Sequence, residues 1–135
     1  MKAYKLLFVM MAIVFWSCES QLEGETDDDS IIGKWKLETI FFPFTGKTYD
    51  YSKYNIVYEF QSNNILKISG APVQDSLYYG RGNGEISYSI DINDENVECL
   101  LLGGHPVTAF GISNKTLVLS YAPLDGLIET LTKIK

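Results

Sequence analysis

The run Glu85-Ile86-Ser87-Tyr88-Ser89-Ile90-Asp91-Ile92 constrains the fold more than any other stretch of the chain. Every second residue is Ile or Tyr, and the residues between them are acids or serines. Successive side chains of a β-strand point to opposite faces, so this order builds one apolar and one wet face; the 3.6-residue period of a helix cannot sort the same residues that way. Seven further runs carry the same signal: Gly33 to Phe42, Tyr54 to Phe60, Ile65 to Ser69, Val97 to Leu102, Val107 to Ile112, Thr116 to Tyr121 and Leu127 to Ile134. The segments between them are mostly short and rich in turn formers, among them Ser62-Asn63-Asn64, Asn93 to Asn96, Gly103-Gly104, Ser113-Asn114-Lys115 and Pro123 to Gly126. Neighbouring strands are therefore expected to pair antiparallel. Eight such strands in up-and-down order leave two exposed edges unless the sheet closes, so the expected fold is all-β, a small antiparallel β-barrel of about eight strands. A two-sheet sandwich is the competing arrangement. Within NVECLLL, Cys99 shares a face with Val97 and Leu101, where a thiol is expected to act as a small buried hydrophobe.

The N-terminus has a different character. Lys2 and Lys5 precede eleven uninterrupted apolar residues, Leu6 to Trp16, and Ser17-Cys18 follow. That is the layout of a secretory signal: a charged region, an apolar region and a small residue before the cut. Eleven residues at a helical rise reach only about half of a ~30 Å hydrocarbon core, so a permanent membrane span is not expected. Six of the 17 acids, Glu19, Glu23, Glu25, Asp27, Asp28 and Asp29, lie just after Cys18 with no base among them. From Ser30 onward eleven acids face nine bases, so the acidity of the whole chain, net −6, belongs mainly to the leader region. A nearly neutral domain has no basic footprint for nucleic acid, which is excluded as a partner. The chain divides into a signal peptide (1–17), a cysteine with an acidic tether (18–29) and one domain (30–135).

Ser17-Cys18 resembles the end of a bacterial lipoprotein signal, in which the cysteine is acylated and becomes the new N-terminus. The resemblance is to lipoproteins of the Bacteroidetes group and implies a lipid anchor at Cys18. The acids that follow resemble the export signal sending such proteins to the outer face of the outer membrane. The other reading is a plain signal peptide with Cys18 paired to Cys99, the only other cysteine; Cys18 then sits beside a polar tail with nothing apolar to hold it near a core.

Ser30-Ile31-Ile32-Gly33-Lys34-Trp35 resembles the Gly-x-Trp signature opening the first strand of lipocalins and lipocalin-like barrels. The resemblance implies that Trp35 plugs one barrel end and that Trp35, Leu37, Thr39 and Phe41 face inward. Lipocalins carry an arginine near the last strand that packs on this tryptophan; here that strand offers Lys133, and Arg81 is the only arginine. The resemblance carries no particular ligand, because one barrel fold holds very different molecules.

Candidate pocket residues follow from the inward phase of the strands: Trp35, Leu37, Phe41, Ile56, Tyr58, Ile86, Tyr88 and Ile90. The segment Phe42 to Tyr54 gathers Phe42, Phe44, Tyr49, Tyr51 and Tyr54 around Lys47, Asp50 and Lys53. Two readings stand for it: a mouth whose flat rings meet an apolar ligand or a sugar, or a cap that shields the barrel end. The segment Gly70 to Gly84 ends in Gly80-Arg81-Gly82-Asn83-Gly84, which reads as a mobile hairpin, with Arg81 meeting a ligand carboxylate as the minority reading. No helix follows these glycines, so they do not read as a phosphate loop.

Catalytic patterns are absent from the sequence. His105 is the only histidine and precedes Pro106 in a turn, no Cys/His/Asp set has metal-ligand spacing, and Glu59, Glu98 and Glu129 lie in strands without a visible pairing. No cofactor, metal or enzymatic activity is expected. The leading expectation is a barrel at the bacterial cell envelope, lipid-anchored to the outer membrane, that binds a small apolar or amphipathic molecule or a glycan fragment. The alternative is an accessory lipoprotein with a filled barrel that docks on an envelope protein, and an enzyme is the third.

Overall fold

The computed structural model describes residues 30–73, 78–107, 109–121 and 126–135. The signal peptide and the tether with Cys18 lie outside the described residues, as do Leu77 and most of the turn Pro123 to Gly126. Among the described residues there are ten strands and no helix. They are β1 (Gly33–Phe42), β2 (Lys47–Asp50), β3 (Val57–Phe60), β4 (Ile65–Ser69), β5 (Gly84–Ile92), β6 (Glu98–Leu102), β7 (His105–Pro106), β8 (Ala109–Ser113), β9 (Thr116–Ser120) and β10 (Ile128–Ile134). Each of the eight anticipated runs holds one strand; β2 and β7 are additions. All pairings are antiparallel, and the sheet order is β7-β6-β5-β4-β3-β1-β10-β9-β8, with β2 also on β1.

This is an up-and-down meander curled into a half-barrel, and its first and last strands are zipped together. Lys34 to Phe41 of β1 pair with Ile134 to Ile128 of β10. The sheet opens instead at its midpoint in the chain, where β6 and β8 face one another without a ladder between them.

The turns show why the strands stop where they do. Asn114 and Lys115 both have positive φ (49° and 63°), as do Gly103 and Gly104 (60° and 80°), the backbone of tight two-residue hairpins that match strand twist. Asn93 closes the β5–β6 connection with its side chain, accepting from the amides of Glu95 (3.0 Å) and Val97 (2.9 Å). Gly70 has φ +76°, and a Cβ there would collide with the Asn55 carbonyl oxygen, so the chain leaving β4 requires glycine.

Large side chains fill the interior. Trp35, Leu37, Ile40, Ile56, Tyr58, Phe60, Leu66, Leu100, Leu102, Leu117, Leu119 and Leu131 are fully buried. A barrel of about this size is one that side chains just fill, and they fill the hollow of this half-barrel. At one end the Trp35 indole donates from Nε1 to the Ile31 carbonyl (2.7 Å), while the Lys133 ammonium stands 5.2 Å from the ring centroid and donates to the Ser30 carbonyl (3.3 Å). Lys133 thus occupies the face of the tryptophan that the resemblance assigned to an arginine.

Two expectations about facing are corrected. Thr39 and Phe41 do not share the inward face of Trp35 and Leu37: the β1–β10 register shifts between Leu37 and Thr39, and this bulge hands the inward position to Ile40. One extra residue reverses side-chain parity for the rest of a strand. Cys99 is not a core thiol, because Ile90 pairs with Leu100 and Tyr88 with Leu102, which turns Leu100 and Leu102 inward. Cys99 is half-buried on the opposite face, and Val97 is 53% exposed.

Candidate functional site

The end of the barrel opposite Trp35 is built from the C-terminal half of β1, the start of β10 and the residues after β9. Ile40 pairs with both Glu129 of β10 and Tyr49 of β2, which brings the aromatic segment beside the last strand. Phe42, Tyr49 and Tyr79 pack edge to face or tilted with centroids 5.0 to 5.6 Å apart. A second set, Tyr51 with Tyr54 and Tyr78, lies at 6.0 and 5.3 Å. Tyr51 is buried, and its hydroxyl accepts from the Tyr79 amide at 3.4 Å. These rings cover the barrel end, and Tyr79 fastens the glycine-rich segment onto it.

Beneath that cover lies the one charged side chain in the core of the described residues, Glu129, with no exposed surface. The Tyr58 hydroxyl donates to its Oε1 at 2.9 Å and the Tyr121 hydroxyl to its Oε2 at 2.7 Å. The Tyr121 oxygen also accepts from Nε of Arg81 at 3.5 Å, and the guanidinium carbon stands 5.0 Å from the Tyr121 ring centroid. Arg81, Tyr121 and Glu129 therefore form a relay of hydrogen bonds running inward from the half-buried arginine. The Tyr78 hydroxyl donates to the Arg81 carbonyl at 2.7 Å and holds the backbone of the same residue. Every buried side-chain nitrogen and oxygen among the described residues has a partner.

Burial pushes the Glu129 carboxyl above the usual carboxylate range, opposed by the Tyr121 and Tyr58 donors and the nearby positive charge of Arg81. Burial opposes the charge on Arg81, and the Tyr121 hydrogen bond and the field of Glu129 outweigh it, so its basicity rises. Tyr58 and Tyr121 are both pushed well up, first by burial and then by the neighbouring carboxylate. Tyr78 is pushed up to about 12, mainly by burial. All four tyrosine and arginine groups are thus held in their protonated forms around one acid.

A pocket of about 460 Å³ opens above this relay, walled by Tyr79, Gly80, Arg81, Tyr121, Gly126 and Leu127, with Glu129 as its sealed floor. A second cleft of about 470 Å³ lies on the open seam against Ile31, Ile32, Tyr88, Ile90, Phe110 and Ile112. The seam cleft is the more polar of the two, and its one charge, Glu98, is exposed and not buried. A buried, fully partnered carboxylate costs more stability than an apolar filler of equal volume, and this marks the end pocket as the candidate site.

Of the pocket and mouth residues singled out from the sequence, Arg81 lines this pocket, and Tyr88 and Ile90 line the seam cleft. Trp35, Leu37 and Tyr58 have no exposed surface and belong to the packed interior, where Tyr58 serves the site by holding Glu129. Phe41 faces away from the core, and Phe42, Tyr49 and Tyr51 form the cover. Phe44 stands apart at 83% exposure. Sequence reasoning did not reach Tyr121, Tyr79 or the role of Glu129. The available signal was phase: Glu129 shares the inward register of Leu131, two residues on. His105 lies exposed in β7, and no group of residues among those described is arranged to hold a metal ion. Comparison of the chain with protein-family models, curated proteins and solved structures finds no match.

Proposed function

We propose that this chain is a bacterial cell-envelope lipoprotein, anchored to the outer membrane through Cys18, whose lipocalin-like barrel binds a small amphipathic molecule without transforming it. The observation that carries the reading is the relay from Arg81 through Tyr121 to the buried Glu129 beneath an aromatic-walled pocket. An apolar wall with a few convergent polar groups is what a small-molecule site needs, and about 460 Å³ falls within the usual size of such sites. Catalysis fits the site poorly. Both oxygens of Glu129 are occupied by tyrosine donors and shielded from the pocket, so the acid cannot exchange a proton with a substrate directly.

The filled interior moves the binding position from the barrel's centre to its end. It also favours a second reading, in which the barrel is a scaffold and the exposed Phe44 anchors a protein of the envelope. Native mass spectrometry of the protein purified gently from its own host separates the two: a retained small mass supports binding, and a bare chain copurifying with a protein supports docking. Replacing Cys18 with Ala is expected to release the protein from the membrane fraction, and retention there defeats the lipid anchor.

A further inference from the structure

Arg81 is the only arginine of the chain, and the described residues engage its guanidinium on one edge only. Nε is committed to Tyr121, and one face lies on the Tyr121 ring. Among the described residues no carboxylate pairs with it directly; the acid nearest to it through the relay, Glu129, is sealed behind Tyr121 and Tyr58. A guanidinium carries five N–H donors in a planar fork, so as far as the described residues go its terminal amino groups are left to whatever enters the pocket. Of the described side chains lining that pocket, Arg81 and Glu129 are the ionisable ones, and because Glu129 has no exposed surface it is Arg81 that offers an entering molecule a charge, while Tyr79 and Leu127 offer apolar surface.

We infer that the pocket takes an amphiphile with a carboxylate head, which pairs with the terminal nitrogens of Arg81 while its apolar body lies against Tyr79 and Leu127. The inference rests on the binding function proposed above and narrows it to one ligand class. An ammonium head is repelled by Arg81. An uncharged sugar or alcohol desolvates the guanidinium without returning an opposite charge or a bidentate contact, whereas a carboxylate matches its fork in shape and sign. Glu129 is the positioning residue in this scheme. It holds Tyr121, and Tyr121 fixes the height and tilt of Arg81, so the arginine is set in place before the ligand arrives.

The test uses the full chain in lipid nanodiscs, titrated by calorimetry with hexanoate, 1-hexanol and hexylammonium against empty nanodiscs; six-carbon chains limit partition into the bilayer. Hexanoate is expected to bind at least about tenfold more tightly than hexanol, as one charge-assisted contact predicts, and hexylammonium to give no saturable signal. In Arg81→Gln the ratio of hexanoate to hexanol affinity is expected to collapse toward one, and Arg81→Lys to keep only part of it. Lys53→Gln, a change at an exposed lysine outside the pocket, is expected to leave hexanoate binding as it was. Thermal unfolding of each variant confirms that the barrel is intact. Equal binding of hexanoate and hexanol, or an unchanged ratio in Arg81→Gln, overturns the carboxylate inference while leaving the binding function standing. Failure of all three probes to bind overturns both.

Discussion

Replacing Tyr58 with Phe removes one oxygen atom and leaves the ring in place, and its consequence should depend on pH. Tyr58 is fully buried, and its hydroxyl donates to Oε1 of the fully buried Glu129 at 2.9 Å. With Glu129 ionised, the substitution deletes a hydrogen bond to a charged acceptor that water cannot replace, at a cost of about 1.5–3 kcal/mol. With Glu129 protonated, the lost bond is between neutral groups and costs about 0.5–1.5 kcal/mol. The carboxyl of Glu129 is already raised in the folded state, chiefly by burial, so its contribution to stability is fully present below the unfolded carboxylate pKa and is lost as pH rises through the folded value. Tyr58→Phe removes a donor that opposed this rise, so the loss extends further in the variant. The deficit relative to the parent protein is therefore expected to be larger near neutrality than at about pH 4, where the acid is protonated in both. At roughly 4–8 °C per kcal/mol for a domain near 100 residues, the melting temperature should fall by on the order of 10 °C at neutral pH and by about half that or less at about pH 4. Urea unfolding followed by tryptophan fluorescence, run at both pH values, measures the difference. An equal deficit at the two values, or a larger one in acid, refutes the titration of Glu129 between them as the source of the pH dependence.

Three further outcomes bear on the fold. Gly70→Ala should destabilise by more than about 1–2 kcal/mol, because φ +76° disfavours an L side chain and the new Cβ meets the Asn55 carbonyl; a melting temperature within a degree or two of the parent would contradict the geometry of that turn. Lys115→Gly should stabilise by about 0.5–1 kcal/mol by relieving φ +63° at a non-glycine residue, read as a higher denaturant midpoint with an unchanged slope. Cys99→Ser should cost less than about 0.5 kcal/mol in the same assay, since the thiol sits on the outward face of β6; a loss of several kcal/mol would restore Cys99 to the core.

Strand positions were legible in the sequence because period two survives any tertiary context that keeps one face buried. Ile65–Ser69 and Gly33–Phe42 are strands over just the residues that the alternation marks. The short β2 was hidden because Lys47-Thr48-Tyr49-Asp50 has only one inward residue, Tyr49, and its pairing depends on the length of β1. The bulge after Leu37 was hidden because Ile40, Phe41 and Phe42 are all apolar, so either phase looks inward at the strand's end, and only the opposing β10 register reveals the extra residue. Cys99 misled for a related reason. Five residues from Cys99 to Gly103 contain three leucines, so either phase of β6 looks apolar until β5 chooses one. The site itself depends on contacts between residues far apart in the chain, Tyr58 with Glu129 and Arg81 with Tyr121, separated by 71 and 40 positions. Nothing local to any of them announces the meeting.

The zipped termini and the open midpoint also bear on how the chain assembles. In most meanders a hairpin forms first and later strands add beside it, so contacts near in sequence come early and the distant ones late. Here the curvature is fastened by β1 on β10, the pairing with the longest loop to close, while the seam left unladdered lies between β6 and β8, neighbours separated only by β7. Assembly of the end that holds Glu129 must therefore wait for β10, which carries it. Synthesised from its N-terminus, the chain holds Arg81 and Tyr58 without their acid until β10 emerges. A circular permutant that joined the two ends and opened the chain at the seam would make the late contact an early one, and should fold faster without altering a single contact in the pocket.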